Sequence, residues 1–179
     1  MATAFHAELV TPERVLFSGD ADEVSLRTDG GEIAFLAHHA ELVAALDITV
    51  VRVRSLDGRP GEGEGEGEEL RFAAHGGFVH VGDNVVRILA GVAERGDEID
   101  VERARQALAA ARERLAEEGP ATVEAARVEP AEHAAGEAPA AHAGPLSGAM
   151  LALLAPASAE AAVRRAEVRL DAAGARPEA

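Results

Sequence analysis

The sequence predicts a mainly β fold with an α appendage: an N-terminal antiparallel β-sandwich of about ten strands, followed by a C-terminal two-helix (helix-turn-helix) domain. Three observations carry that prediction. Between Phe5 and Ala90 short segments of alternating apolar residues are cut by turn pairs, the pattern of strands with one buried face. From Asp100 onward the apolar spacing changes to three and four residues, as on one stripe of a helix. Residues 119–148 then mix Pro, Gly, Ala and Glu without a sustained period, which reads as a long flexible linker between the two helices.

The strand-forming segments come first. Phe5 to Val10, Arg14 to Ser18, Glu23 to Thr28, Glu32 to Leu36, Glu41 to Leu46 and Ile48 to Arg54 are divided by the turn signals Thr11-Pro12, Ser18-Gly19-Asp20 and Asp29-Gly30-Gly31. Many short strands without intervening helical patterns indicate an antiparallel sandwich or barrel. From Glu69 to Ala90 three more strands are expected, separated by Gly76-Gly77 and Asp83-Asn84. The sandwich therefore occupies residues 1–98. Within it, residues 57–69 alternate Gly with Glu and hold nothing apolar to bury, so a mobile, solvated loop is expected there.

The helical part follows. Helix 1 is expected over residues 99–118, with Asp100 as cap and Glu102 in the favourable first turn. Its stripe is Val101, Ala104, Leu108, Ala111 and Leu115, and Gly119-Pro120 stop it. Beyond the linker, a helix 2 region spans residues 149–174. There Met150 to Leu154 forms an apolar knot, and Pro156 suits a first helical turn. The second stripe is Ala159, Val163, Ala166, Leu170 and Ala173. Helices this short and Ala-rich need to pack on each other or on another surface.

Composition narrows the function. The net charge of -15 opposes a phosphate backbone, so no nucleic acid is expected. No run of about 20 apolar residues occurs, and the N-terminus enters strand alternation directly, which reads as a mature cytoplasmic protein. All 17 basic residues are Arg, so no P-loop lysine is available. There are no cysteines, hence no disulfide framework and no thiol nucleophile. Neither G-x-S-x-G nor H-E-x-x-H occurs, and the seven His are scattered. A non-catalytic chain without a metal site is expected.

The run HGGFVHVGDN, the strand after it, the run DEIDVERARQAL and the terminal RRAEVRL together closely resemble the epsilon subunit of F-type ATP synthases. The resemblance extends over residues 3–54, 69–115 and 157–171. It implies a central-stalk subunit of a proton-translocating ATP synthase, peripheral on the cytoplasmic face of the bacterial plasma membrane. The sandwich would bind the gamma subunit and the c-subunit ring, touching the membrane only indirectly. The C-terminal helices would reach the alpha/beta hexamer and restrain ATP hydrolysis. No cofactor is required, and ATP is implied as a regulatory ligand.

Residue by residue, the resemblance carries over Glu32, His38 and His39 as contacts to the c ring. Ala37 and Glu41 stand where the family has prolines, and Ile48-Thr49 where it commonly has Pro-Gly. The alternative for the histidines is that of exposed turn residues. For ATP the resemblance carries over Glu94, Asp100, Arg103, Arg165 and Arg169. Ala110 stands where stronger ATP binders have another arginine, and Arg112 lies on a different face. Arg guanidinium groups suit phosphate oxygens, yet the same residues also read as a helix cap and a solvated, ion-paired helix face. The competing classes are a stand-alone β-sandwich protein-binding module with a helical tail, and an enzyme acting on nucleotides.

Overall fold

The computed structural model describes residues 4–56, 68–118 and 158–175. The expectations for residues 57–67 of the Gly/Glu loop, the inter-helix linker, residues 150–154 and Pro156 fall outside them, while Glu68 and Glu69, expected in that loop, belong to a strand paired with Ser55 and Arg54. Seven strands form: β1 (Phe5–Val10), β2 (Val15–Thr28), β3 (Gly31–Phe35), β4 (Leu42–Ser55), β5 (Glu68–Gly82), β6 (Val85–Ala90) and β7 (Ala93–Arg95). A 3₁₀ turn, Gly96–Glu98, leads to α1 (Val101–Glu118), and α2 (Ala159–Ala172) follows. The strand order is β1-β6-β5-β4-β2-β3, and β1 also pairs with β2. The sheet therefore closes on itself as a flattened, sandwich-like barrel, with β3 and β7 attached to β2 and β5.

Two expectations need correction. Among the described residues the strands number seven rather than about ten, because segments that looked separate are continuous. Ser18-Gly19-Asp20 is not a turn; all three residues stay in β2 and pair with Glu8, Ala7 and His6 of β1. The pairing is also not wholly antiparallel, since β1 runs parallel to β6. That parallel pair is what closes the ring.

The Gly76-Gly77 pair explains why β5 looked like two strands. In β4 the inward residues are Leu42, Ala44 and Leu46 before Asp47, then Val51 and Val53 after it; in β5 they are Phe72 and Ala74 before the glycines, then Val79 and Val81. Both strands reverse their in-and-out phase at the same level, while Leu46 pairs with Gly77 and Ile48 with His75. The sheet turns a corner there and keeps its apolar side chains inward on both sides. Gly77 adopts φ +136°, and a Cβ on it would lie 2.1 Å from the Leu89 carbonyl oxygen. Only glycine meets both conditions. At this corner β5 also changes its second neighbour, from β7 at residues 72–74 to β6 at residues 77–82.

The barrel interior is aliphatic except for phenylalanine, as the composition requires: Leu9, Val24, Phe35, Val51, Phe72 and Ile88 are all buried. On the outer face of the β4–β5 pair a second apolar cluster forms. Val50 and Ala73 point out of the barrel and meet Ile99, Ala104, Leu108, Ala166 and Leu170. The helices thus lie on one half of the β4–β5 outer face, with α2 against both strands and α1 packed on α2. Asp100 caps α1 through its side chain, accepting from the Arg103 N–H at 3.0 Å. Ser158 does the same for α2, accepting from the Ala161 N–H at 3.2 Å. Gly96 lets the connector pass beneath α2, since a Cβ there would come within 2.3 Å of the Ala172 carbonyl oxygen.

Candidate functional site

Strand alternation and helical spacing bring one set of side chains together beside the second cluster. Glu94 of β7 pairs across from the outward Ala73, and the His75 N–H donates to the Val92 carbonyl at 2.9 Å. His75 and Glu94 line the cleft on the sheet side. From α2, Arg165 and Arg169 lie four residues apart and so share a face. From α1 come Ala107, Ala110, Ala111 and Arg114. Together they enclose a cleft of about 470 Å³, within the range of small-molecule sites. Its alanines leave room that larger side chains would fill.

The electrostatics are uneven. The Arg169 guanidinium donates to Glu94 at 2.8 Å, the least exposed of the ion pairs formed here. Its Nε is buried without a protein acceptor, and so is His75 Nδ1 without any partner. Burial pushes His75 down from 6.5 to about 4; Glu94 opposes that shift, and Arg165 and Arg169 add to it. Three arginines against one glutamate leave the cleft positive, and the arginine fork matches phosphate or carboxylate oxygens.

Of the residues proposed for ATP, Glu94, Arg165 and Arg169 come together, whereas Asp100 and Arg103 are not among the residues lining the cleft. Asp100 is engaged as the cap of α1, and Arg103 is exposed on that helix. Arg112 points elsewhere, to Glu167 of α2 at 3.3 Å. Sequence reasoning missed His75 and Arg114. Arg114 was within reach: it lies one helical turn beyond Ala110 and thus on the same face. His75 was obscured by the misread turn at the neighbouring glycines.

Glu32, His38 and His39 are not one cluster. Glu32 is exposed at the start of β3, where it pairs across from Arg27. His38 and His39 occupy the turn beyond the other end of β3. His38 adopts φ 61°, and its N–H donates to Asn84 Oδ1 at 2.8 Å. Asn84 Nδ2 in turn donates to the Ala4 carbonyl at 3.1 Å, so the Asp83-Asn84 turn, the His38-His39 turn and the start of β1 form one end of the barrel. The His39 ring stands edge-on to Phe35 at 5.0 Å. A wider groove of about 610 Å³, lined by Gly30, Glu32, Val43 and Phe78 among others, runs along the half of the sheet that the helices leave open. There Val43, Phe78 and Leu89 are exposed, with Phe78 and Leu89 paired across strands.

Comparison with known proteins places these features. The family described as "ATP synthase, Delta/Epsilon chain, beta-sandwich domain" matches residues 4–96. The ATP synthase epsilon chain of Carboxydothermus hydrogenoformans is 44% identical over 120 residues, covering 67% of this chain and 82% of that protein. The epsilon chain of Streptomyces avermitilis is 39% identical over 124 residues, covering 69% and 90%. Among solved structures, a chain of the Euglena gracilis mitochondrial ATP synthase OSCP/F1/c-ring assembly is similar, with a TM-score of 0.50 and 28% identity. That likeness covers 60% of this chain and 62% of the other, so this chain spans just under two thirds of its solved relative's length.

Proposed function

The chain belongs to the ATP synthase epsilon-chain family, and from that premise we propose that it is a non-catalytic central-stalk subunit whose sandwich binds gamma and stands on the c-subunit ring. In this reading it transmits rotation between proton flow and ATP synthesis, and works peripherally at the cytoplasmic face of the bacterial plasma membrane. The observation that carries the reading is the family match over the closed β domain, residues 4–96. The exposed row of Val43, Phe78 and Leu89 supports it, since an apolar surface of this kind suits a protein partner. Glu32, His38 and His39 remain our candidates for contacts to the ring.

The helices supply the regulatory half of the proposal. Docked, they enclose the arginine-lined cleft, which suits ATP as a regulatory ligand held by Glu94, Arg165 and Arg169 and, from this structure, Arg114. Asp100 then acts as a helix cap, and Arg103 is kept as a contact only for a rearranged hairpin. Undocked, the helices extend toward the alpha/beta hexamer and restrain hydrolysis. A ligand that binds only the docked form shifts the balance away from the restraining one. The test is to titrate the chain into the cognate catalytic sector lacking epsilon, following binding and ATPase rate together. Tight binding with a reduced rate that ATP relieves is expected. Absence of binding would overturn the stalk assignment, and binding without a rate change would remove the restraint.

A further inference from the structure

We infer that His75 is a proton-linked contact of the cleft: occupancy by a polyphosphate makes the imidazole protonate, and Nδ1 then donates to a ligand oxygen beside Arg169 Nε. This deepens the nucleotide reading above and rests on it. The inference starts from two buried atoms without partners, His75 Nδ1 and Arg169 Nε, both on residues that line the same cleft. An arginine Nε is a donor and never an acceptor, so whatever satisfies it there must offer a lone pair. His75 Nδ1 donates to that class of atom either as the neutral Nδ1–H tautomer or as imidazolium, and the charge of the ligand decides between them. An oxyanion seated between them meets both needs, and each unmet need costs about 1–3 kcal/mol.

The charges around His75 set the sign. Facing it are Glu94 from β7, Arg165 and Arg169 from α2, and Arg114 lining the cleft from α1; its partner across β4 is the uncharged Ile48. With no anion present, burial and the arginines hold the ring neutral down to about 4. A polyphosphate reverses the local field and raises the affinity of the ring for a proton. Binding therefore takes up a proton, and affinity increases as pH falls from the bound-state value toward the free-state one.

Isothermal titration of the full chain with ATP, and separately with tripolyphosphate, tests this between about pH 7.5 and pH 5, the range that approaches the free-state value from above. Buffers of different ionisation enthalpy report the protons taken up, and His75→Gln provides the reference in which the ligand's own titration cancels. The wild type should take up more protons than the variant and tighten by up to about tenfold per pH unit, the limit for one linked proton. Imidazole ¹⁵N spectra of the wild type should show protonation on ligand addition, which needs no variant. Equal uptake in both proteins with an unprotonated ring would overturn the inference while leaving the nucleotide site in place. Failure of both ligands to bind at any pH would overturn the site and the inference together. Binding of ATP but not tripolyphosphate, with ring protonation, would identify the nucleoside as part of what the cleft reads.

Discussion

The barrel and the helical hairpin are built by opposite means. In the barrel every strand of the ring has two neighbours, and the interior holds large side chains such as Phe35, Phe72, Leu9 and Ile88 with almost no exposure. Removing any one strand opens the ring, so the barrel stands or falls as a unit. The hairpin instead buries mostly alanine and valine against Val50 and Ala73, with Leu170 as its main large anchor. Among the described residues, three ion pairs tie it to the sheet: Arg164–Asp47, Arg52–Asp171 and Arg169–Glu94. Small side chains contribute less per residue, at roughly 25 cal/mol for each Å² removed from water. The contrast is one of buried side-chain size, large in the barrel and small under the helices, which is what the proposed undocking of the hairpin requires.

Substituting the same residue type in both regions is the sharpest way to break that comparison. Gly77→Ala forces a Cβ into a φ of +136° and to 2.1 Å from the Leu89 carbonyl oxygen, at the corner of the barrel. A loss of at least about 3 kcal/mol is expected, with cooperative collapse of the whole β domain in a calorimetric melt. Gly96→Ala creates a comparable clash with the Ala172 carbonyl oxygen, present only while α2 is docked, and a much milder crowding at 3.2 Å from the Arg71 carbonyl oxygen of β5. Its expected cost is about 1–3 kcal/mol, most of it to the docked state. Hydrogen exchange should show lost protection in α1 and α2 with the barrel amides unchanged. If Gly96→Ala lowered the barrel melt as Gly77→Ala does, the two regions would be one cooperative unit and the comparison would fail.

The same division governs what could be read from the sequence. The aliphatic stripes of α1 and α2 and the cap at Asp100 were legible because helical spacing is a local property, and the I′-like Asp83-Asn84 turn, with φ of 52° and 58° at its two residues, was legible for the same reason. The corner at Gly76-Gly77 was not. A glycine pair between apolar runs signals a turn, whereas here a long-range pairing with β4 carries the strand straight through it. The closure of the barrel through the parallel β1–β6 pair has no local signal either. At the site, Glu94, Arg165, Arg169, Asp100 and Arg103 all came from the resemblance, and of these Asp100 and Arg103 lie outside the cleft. His75 and Arg114 emerge only once strand and helix are placed face to face.

Acid offers a gentler separation. His75 is held near 4 in the docked chain and returns toward 6.5 when the hairpin leaves and water reaches the ring. A group with a lowered folded-state pKa that is basic binds protons preferentially in the undocked state. Docking is then fully favoured above about 6.5 and weakens as pH falls toward 4, losing about 1.4 kcal/mol near pH 5.5. Exchange protection in α1 and α2 should fall over that window in the wild type and stay level in His75→Gln. The barrel should not respond. With polyphosphate present the wild-type trend should reverse, because the bound anion favours the protonated ring.

The smallest effect should come from the ion pairs, and it decides which force holds the arm. Arg164 meets Asp47 at 3.0 Å, with half of the arginine side chain exposed. Pairs of that exposure contribute about 0.2–1 kcal/mol. Arg164→Ala should therefore shift the docking equilibrium by no more than about fivefold at low ionic strength. Raising salt to about 1 M shortens the screening length to about 3 Å, so the variant and the wild type should converge. A shift as large as that of Gly96→Ala, still present in high salt, would mean that the hairpin is held chiefly by this contact. The apolar seam of Leu108, Ala166 and Leu170 would then be secondary. Convergence in salt, with the seam intact, leaves the small hydrophobic interface as the element that holds the helices on the sheet.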